Sequence, residues 1–110
     1  MIRHTISEIE GRLRKAESIK EEHKAELLDL LSTLKSEIEQ LSRTHSEQAQ
    51  SIAGFTNVST HEATRDEKNP QLVKLALDGL SASVAEFENS HPKLVEIVNR
   101  ICLTLSNLGI

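Results

Sequence analysis

The sequence predicts an all-α protein, an antiparallel bundle of four to five helices with an N-terminal helical hairpin and coiled-coil-like packing. Three observations predict it. Apolar residues recur at steps of three and four through most of the 110 residues, the spacing of one face of an α-helix. The hydrophobic 37% is almost wholly aliphatic, with two phenylalanines and no tryptophan or tyrosine, a core composition that helical bundles tolerate. Capping and turn residues fall between these periodic stretches and leave segments of helical length. A chain of this size suits one compact domain over residues 1–110, burying about two thirds of the surface that its unfolded form exposes.

The first helix is expected over 2–17, where Ile2, Ile6, Ile9, Leu13 and Ala16 step by four, three, four and three. The second is expected over 19–43 on the same pattern, Leu27, Leu31, Leu34, Ile38 and Leu41, with Leu28 and Leu30 widening the stripe beyond a narrow seam. Ser18-Ile19-Lys20-Glu21 between them has the form of a capping box. A break there makes a hairpin. The alternative is one unbroken helix about 60 Å long at 1.5 Å per residue, weakened by the polar Lys20 and His23 at consecutive seam positions.

Thr44-His45-Ser46-Glu47 is a second capping box and opens a helix over 46–58, with Ala49, Ile52, Ala53 and Phe55 facing inward. From Thr56 to Gln71 the apolar signal fades to Val58 and Ala63. Asn69 suits an N-cap and Pro70 the first helical position, so the fourth helix is expected over 70–89. Its stripe is Val73, Leu77, Leu80, Val84 and Phe87, with Leu72, Leu75 and Ala76 beside it. Gly79 inside that helix marks a close helix approach. Ser90-His91-Pro92 divides it from a fifth helix over 92–108, where Leu94, Val98, Ile101, Leu105 and Leu108 form the stripe and Val95, Ile97 and Cys102 broaden it. Gly109 is placed to cap that helix.

Composition removes several function classes. One cysteine allows no intramolecular disulfide and none of the cysteine pairs of thiolate zinc sites. The N-terminus lacks the pattern of a secretory signal, and no uncharged apolar stretch reaches the length of a membrane span. A cytoplasmic location is expected. The net charge of −4 offers no attraction to nucleic acid or to an anionic membrane. Residues 1–43 carry 8 basic and 9 acidic side chains and the remainder 5 and 8, so neither part hides a basic module.

Little in the sequence carries chemistry. Glu88-Asn89-Ser90-His91 has the Glu-x-x-His spacing of di-iron bundles, but in one copy, and Pro92 makes His91 a helix boundary. His61-Glu62 lacks a second histidine four residues after the first, where Arg65 stands instead; Glu62 and Arg65 have the spacing of a surface ion pair. His4, His23 and His45 have no partner at ligand spacing. Cys102 reads as a small buried hydrophobe. No Gly-x-Ser-x-Gly turn or glycine-rich phosphate loop occurs, and Asn57-Val58-Ser59 has glycosylation spacing without a secretory context.

The stretches Ser51-Ile52-Ala53-Gly54-Phe55, His61-Glu62-Ala63-Thr64-Arg65, Lys68-Asn69-Pro70, Ser90-His91-Pro92-Lys93-Leu94, Asn99-Arg100-Ile101-Cys102 and the closing Leu105-Ser106-Asn107-Leu108-Gly109-Ile110 together resemble a family of short uncharacterised bacterial helical proteins. The resemblance covers most of the chain, the opening hairpin being its more generic part. It implies a bacterial, cytoplasmic protein whose domain has no assigned function, and it brings no catalytic or binding residue.

The expected function is therefore that of a non-enzymatic helical interaction or self-association module, a homodimer joined through the surplus apolar stripe of the fifth helix, Leu94, Val98, Ile101, Leu105 and Leu108. No catalytic, cofactor-binding or metal-ligating residue and no cofactor is expected. The alternative is a small-molecule or metal-binding bundle that uses segment 56–71 with His61, Glu62 and Arg65. A hydrolase or transferase has least support, because no nucleophile, base and orienting group can be named together.

Overall fold

A computed structural model describes residues 2–109. Five helices follow one another: α1 (Ile2–Lys15), α2 (Glu21–Ser42), α3 (Ser46–Thr64), α4 (Pro70–Val84) and α5 (Pro92–Gly109), with a single 3-10 turn, Ala85–Phe87, after α4. No strand occurs among the described residues. The all-α bundle and its opening hairpin are as expected.

Helix α3 touches all four other helices, and α2 touches three and carries the largest leucine-rich face. Helix α2 packs against α1, α3 and α5 and buries Leu27, Leu30, Leu31, Leu34, Ile38 and Leu41. Ile6, Ile9 and Leu13 of α1 and Leu94, Val98, Ile101 and Leu105 of α5 join the same apolar cluster. Polar ties on its rim hold the pieces in register. Lys35 Nζ lies 2.8 Å from Glu10 Oε1 between α2 and α1, and Thr104 Oγ1 donates to Glu26 Oε1 at 2.7 Å between α5 and α2.

The helix starts are only partly those expected. At Asn69 the side-chain oxygen accepts from the backbone N–H groups of Gln71 and Leu72 at 3.0 and 3.4 Å, and Pro70 follows. Neither proposed capping box forms. The N-caps of α2 and α3 are Lys20 and His45, without a side-chain cap. Glu21 and Glu22 in the first turn of α2 meet the positive end of the helix dipole instead. Thr44 closes the preceding turn, its hydroxyl 3.4 Å from the Leu41 carbonyl oxygen and 2.8 Å from His45 Nδ1.

Segment 56–71 is the larger correction, because α3 continues to Thr64 through residues that carry little hydrophobicity. Thr56, Thr60 and Thr64 each donate their hydroxyl to the carbonyl four residues earlier, at 2.7, 2.8 and 2.6 Å. This hides the polar atom against the helix and leaves a methyl group for the core. Ala49, Ala53, Thr56, Ser59, Thr60 and Ala63 make a buried small-residue face on α3. Ser59 Oγ is buried among them with no hydrogen-bond partner.

The fourth helix is shorter than expected. It ends at Val84, and the 3-10 turn carries Phe87 into the core before His91 N–H closes on the Phe87 carbonyl at 2.8 Å. The fifth runs through Gly109, and the cap expected there falls outside the described residues. Gly79 has the role expected of it. A Cβ at that position would collide with the Phe55 ring of α3, so only a glycine lets the ring come this close to the α4 backbone.

Candidate functional site

Two helices lie on the outside of the bundle, and their outer faces differ in chemistry. Helix α1 packs on α2 and α3, and its exposed residues are polar, among them Arg3, His4, Glu8 and Arg12. Helix α4 packs on α3 and α5 alone. Leu72 and Leu75 on it are 41% and 66% exposed; Phe55 of α3, 40% exposed, lies against its Gly79, Leu103 of α5, 65% exposed, lines a groove along its other side, and Val58 of α3 is 49% exposed. These are all the exposed large hydrophobic residues described. Scattered apolar side chains need no explanation, but exposed ones on a helix and on both of its flanks do.

The α4 surface has two shoulders. Toward α3, Leu72, Leu75, Gly79 and Ala82 follow one another at helical spacing of three and four, and a shallow groove there is lined by Ser51, Phe55, Gly79 and Ala82. Toward α5, a groove of about 720 Å³ is lined by Val73, Leu77, Cys102 and Leu103, with Lys74 and Asp78 on its lip. Lys74 Nζ and Asp78 Oδ2 are 2.9 Å apart. They are the only charged residues of α4, so the helix has no net charge.

The sequence-predicted contact stripe lies elsewhere. Leu94, Val98, Ile101 and Leu105 are all 1% exposed or less, and Leu108 is half-buried against the same core. The surplus on α5 is absorbed by α2, α3 and α4, which surround it. The apolar width that suggested a partner is real. It is spent inside the chain.

The polar set His61, Glu62 and Arg65 sits at the C-terminal end of α3. Glu62 Oε1 is 3.1 Å from Arg65 Nη1, and Glu62 Oε2 is 3.9 Å from His61 Nε2. Arg12 of α1 joins His61 and Arg65 around a recess of about 320 Å³ with Thr60, Thr64 and Asp66. Both guanidinium groups are engaged, Arg12 by Asn57 and Arg65 by Glu62. Cations here complement the negative ends of α1 and α3. No group of three or more His, Cys, Asp or Glu side chains converges among the described residues.

Sequence reading also missed a ring cluster. His45 and His91, from the turns before α3 and α5, both meet Phe87 edge to face, at centroid distances of 5.3 and 5.4 Å. Two turns at one end of the bundle are thereby fastened together. The signal was present in His45 and His91 as cap-adjacent residues, but nothing local shows that their turns are neighbours.

Cys102 is half-buried on the α5 wall of the larger groove, its Sγ 4.0 Å from the Leu77 carbonyl. Burial, and secondarily the Asp78 carboxylate, push the thiol up to about 11. At pH 8 this leaves on the order of 100-fold less thiolate than an ordinary cysteine holds. Iodoacetamide should therefore alkylate the native protein about 100-fold more slowly than the urea-unfolded chain, followed by mass spectrometry. Equal rates would show the thiol to be free. Because the folded-state value is raised from 9.0, the stability that the protonated thiol contributes is complete below pH 9 and is lost as pH rises through about 11.

The fold and its surface thus define a small all-α bundle whose outer helix is apolar and uncharged overall. The chain belongs to the family described as a domain of unknown function, DUF4404, which matches residues 27–110. The match takes in most of α2 and all of α3, α4 and α5, and it leaves out α1. No curated protein and no solved structure is significantly similar to the chain. Among the described residues no helix is long and apolar enough to cross a membrane.

Proposed function

We propose that this protein is a non-enzymatic self-association module of the bacterial cytoplasm, in which the outer face of α4 and its shoulders form the contact. The observation that carries the reading is that Leu72 and Leu75 of α4, with Phe55 and Leu103 on its two flanks, are exposed on a helix whose outer face no other helix covers. Keeping these side chains in water costs solubility, and covering them returns about 25 cal/mol per Å². The protonated thiol of Cys102 and the engaged side chains around His61 support a binding role over a catalytic one.

Light scattering after size-exclusion chromatography tests the reading. The mass should rise with concentration from 12.3 kDa toward twice that value, with a midpoint in the micromolar range that suits a small contact. A strict monomer at several hundred micromolar overturns it.

A further inference from the structure

We infer that the occupant of the α4 face is a second copy of this chain, laid antiparallel across a two-fold axis that passes between Lys74 and Asp78. The inference rests on the self-association reading and adds to it the face, the direction and the register. Three observations carry it.

The first is charge. Lys74 and Asp78 stand four residues apart on the exposed surface of α4. An antiparallel copy centred between them brings Lys74 of each chain opposite Asp78 of the other, so the pair that each chain makes within itself joins its image in one alternating network of four charges across the axis. A parallel copy in the same register would set lysine on lysine. Helices α2 and α3 are acidic overall, with 2 basic against 6 acidic side chains on α2 and 2 acidic with no Lys or Arg on α3; α4 has no net charge to repel its own image.

The second is the arrangement of the apolar groups. A two-fold axis lying in the contact plane and perpendicular to α4 keeps shoulder facing like shoulder. The α3 shoulder, with Phe55, Leu72 and Leu75, then meets its own equivalent, and the α5 shoulder, with Leu103, meets its own beyond the charged pairs. Leu75, the most exposed of the set, falls beside the axis. Leu72 falls near Gly79 of the second copy, where the absence of a side chain leaves room beside the Phe55 ring.

The third is area. A stable small interface takes about 800 Å² from each partner, about an eighth of the 6531 Å² surface of this chain. Helix α4 with its two shoulders is about 22 Å long at 1.5 Å per residue and about two helix spacings of 8–10 Å wide. That face supplies about 350–440 Å² from each partner, about half of what a stable interface takes, which is the size of a weak, transient contact and suits a dimer that forms only in concentrated solution.

Sedimentation equilibrium on the full chain, combined with charge reversal and cross-linking, tests the register. Lys74→Glu and Asp78→Lys should each weaken dimerisation about tenfold, because symmetry makes every reversal act twice. The double reversal K74E/D78K should restore it. Leu75→Cys in a Cys102→Ser background should form a disulfide-linked dimer on mild oxidation. A cysteine at Ser36, exposed on α2, should not. A dimer that ignores both reversals and does not cross-link through position 75 overturns the α4 register and leaves self-association standing through another face. A strict monomer at several hundred micromolar overturns both.

Discussion

Leu34→Ala lowers the free energy of unfolding by about 3 kcal/mol, measured by urea denaturation followed by circular dichroism. Leu34 is 0% exposed on the helix that every other core helix except α4 touches. Truncation removes three side-chain carbons and leaves a cavity whose cost depends on how far the surroundings collapse. Collapse is restricted here. Lys35, the next residue, is tied to Glu10 of α1, Glu39 to Arg3 of the same helix, and Glu26 to Thr104 of α5. Helix α2 cannot shift toward one neighbour without pulling on the others. In a domain with a total stability of about 5–15 kcal/mol the loss lowers Tm by about 12–20 °C. A loss below 1 kcal/mol would show that the centre of the bundle is loosely packed.

The second large effect comes from the charge beside it. Glu10 is 7% exposed, and its Oε1 lies 2.8 Å from Lys35 Nζ. Lys35→Met removes the cation and leaves the carboxylate beside the core without its partner. The penalty for breaking a fully buried pair is about 3–5 kcal/mol; Lys35 keeps some contact with water, its side chain 24% exposed, so about 2 kcal/mol is expected. The double variant E10M/K35M should recover most of that loss, since a buried pair replaced by apolar groups of similar volume is often neutral. A double-mutant cycle on unfolding free energies checks this. Equal losses in the single and the double variants would assign the effect to packing by the lysine stem and not to charge.

Much of the fold was legible because the three-four spacing is a direct image of burial. Ile6, Ile9 and Leu13, and Leu27, Leu31, Leu34, Ile38 and Leu41, were read as stripes and are the buried faces of α1 and α2. Asn69-Pro70 announces a start that needs no tertiary help. The second half of α3 was illegible for a physical reason. Hydropathy treats threonine as polar, whereas a threonine bonded to the carbonyl four residues back presents a methyl group to the core, as Thr56 and Thr60 do. The capping boxes failed because the pattern is only permissive: at Ser18 the chain is still turning, and the helix starts three residues later.

The contact surface was legible in kind and misplaced in location. Spacing shows that α5 is apolar over a wide arc, but not how many neighbours will surround it; in the fold α2, α3 and α4 do so. Leu72 and Leu75 looked like the flank of a core stripe. They became surface because α4, the penultimate helix, has only two neighbours. Exposure is a property of topology here, and topology is what periodicity does not encode.

The outer position of α4 also divides the cooperativity of the molecule. Helix α4 contributes Val73, Leu80 and Val84 to the shared apolar cluster, but its helical neighbours are α3 and α5 alone, whereas α1, α3 and α5 all pack on α2. Its local opening therefore takes less free energy than global unfolding. A second copy that covers its outer face binds only the docked form and raises the population of that form by mass action. Dimer formation and the local ordering of α4 are thus linked equilibria, and the free energy that tightens one tightens the other.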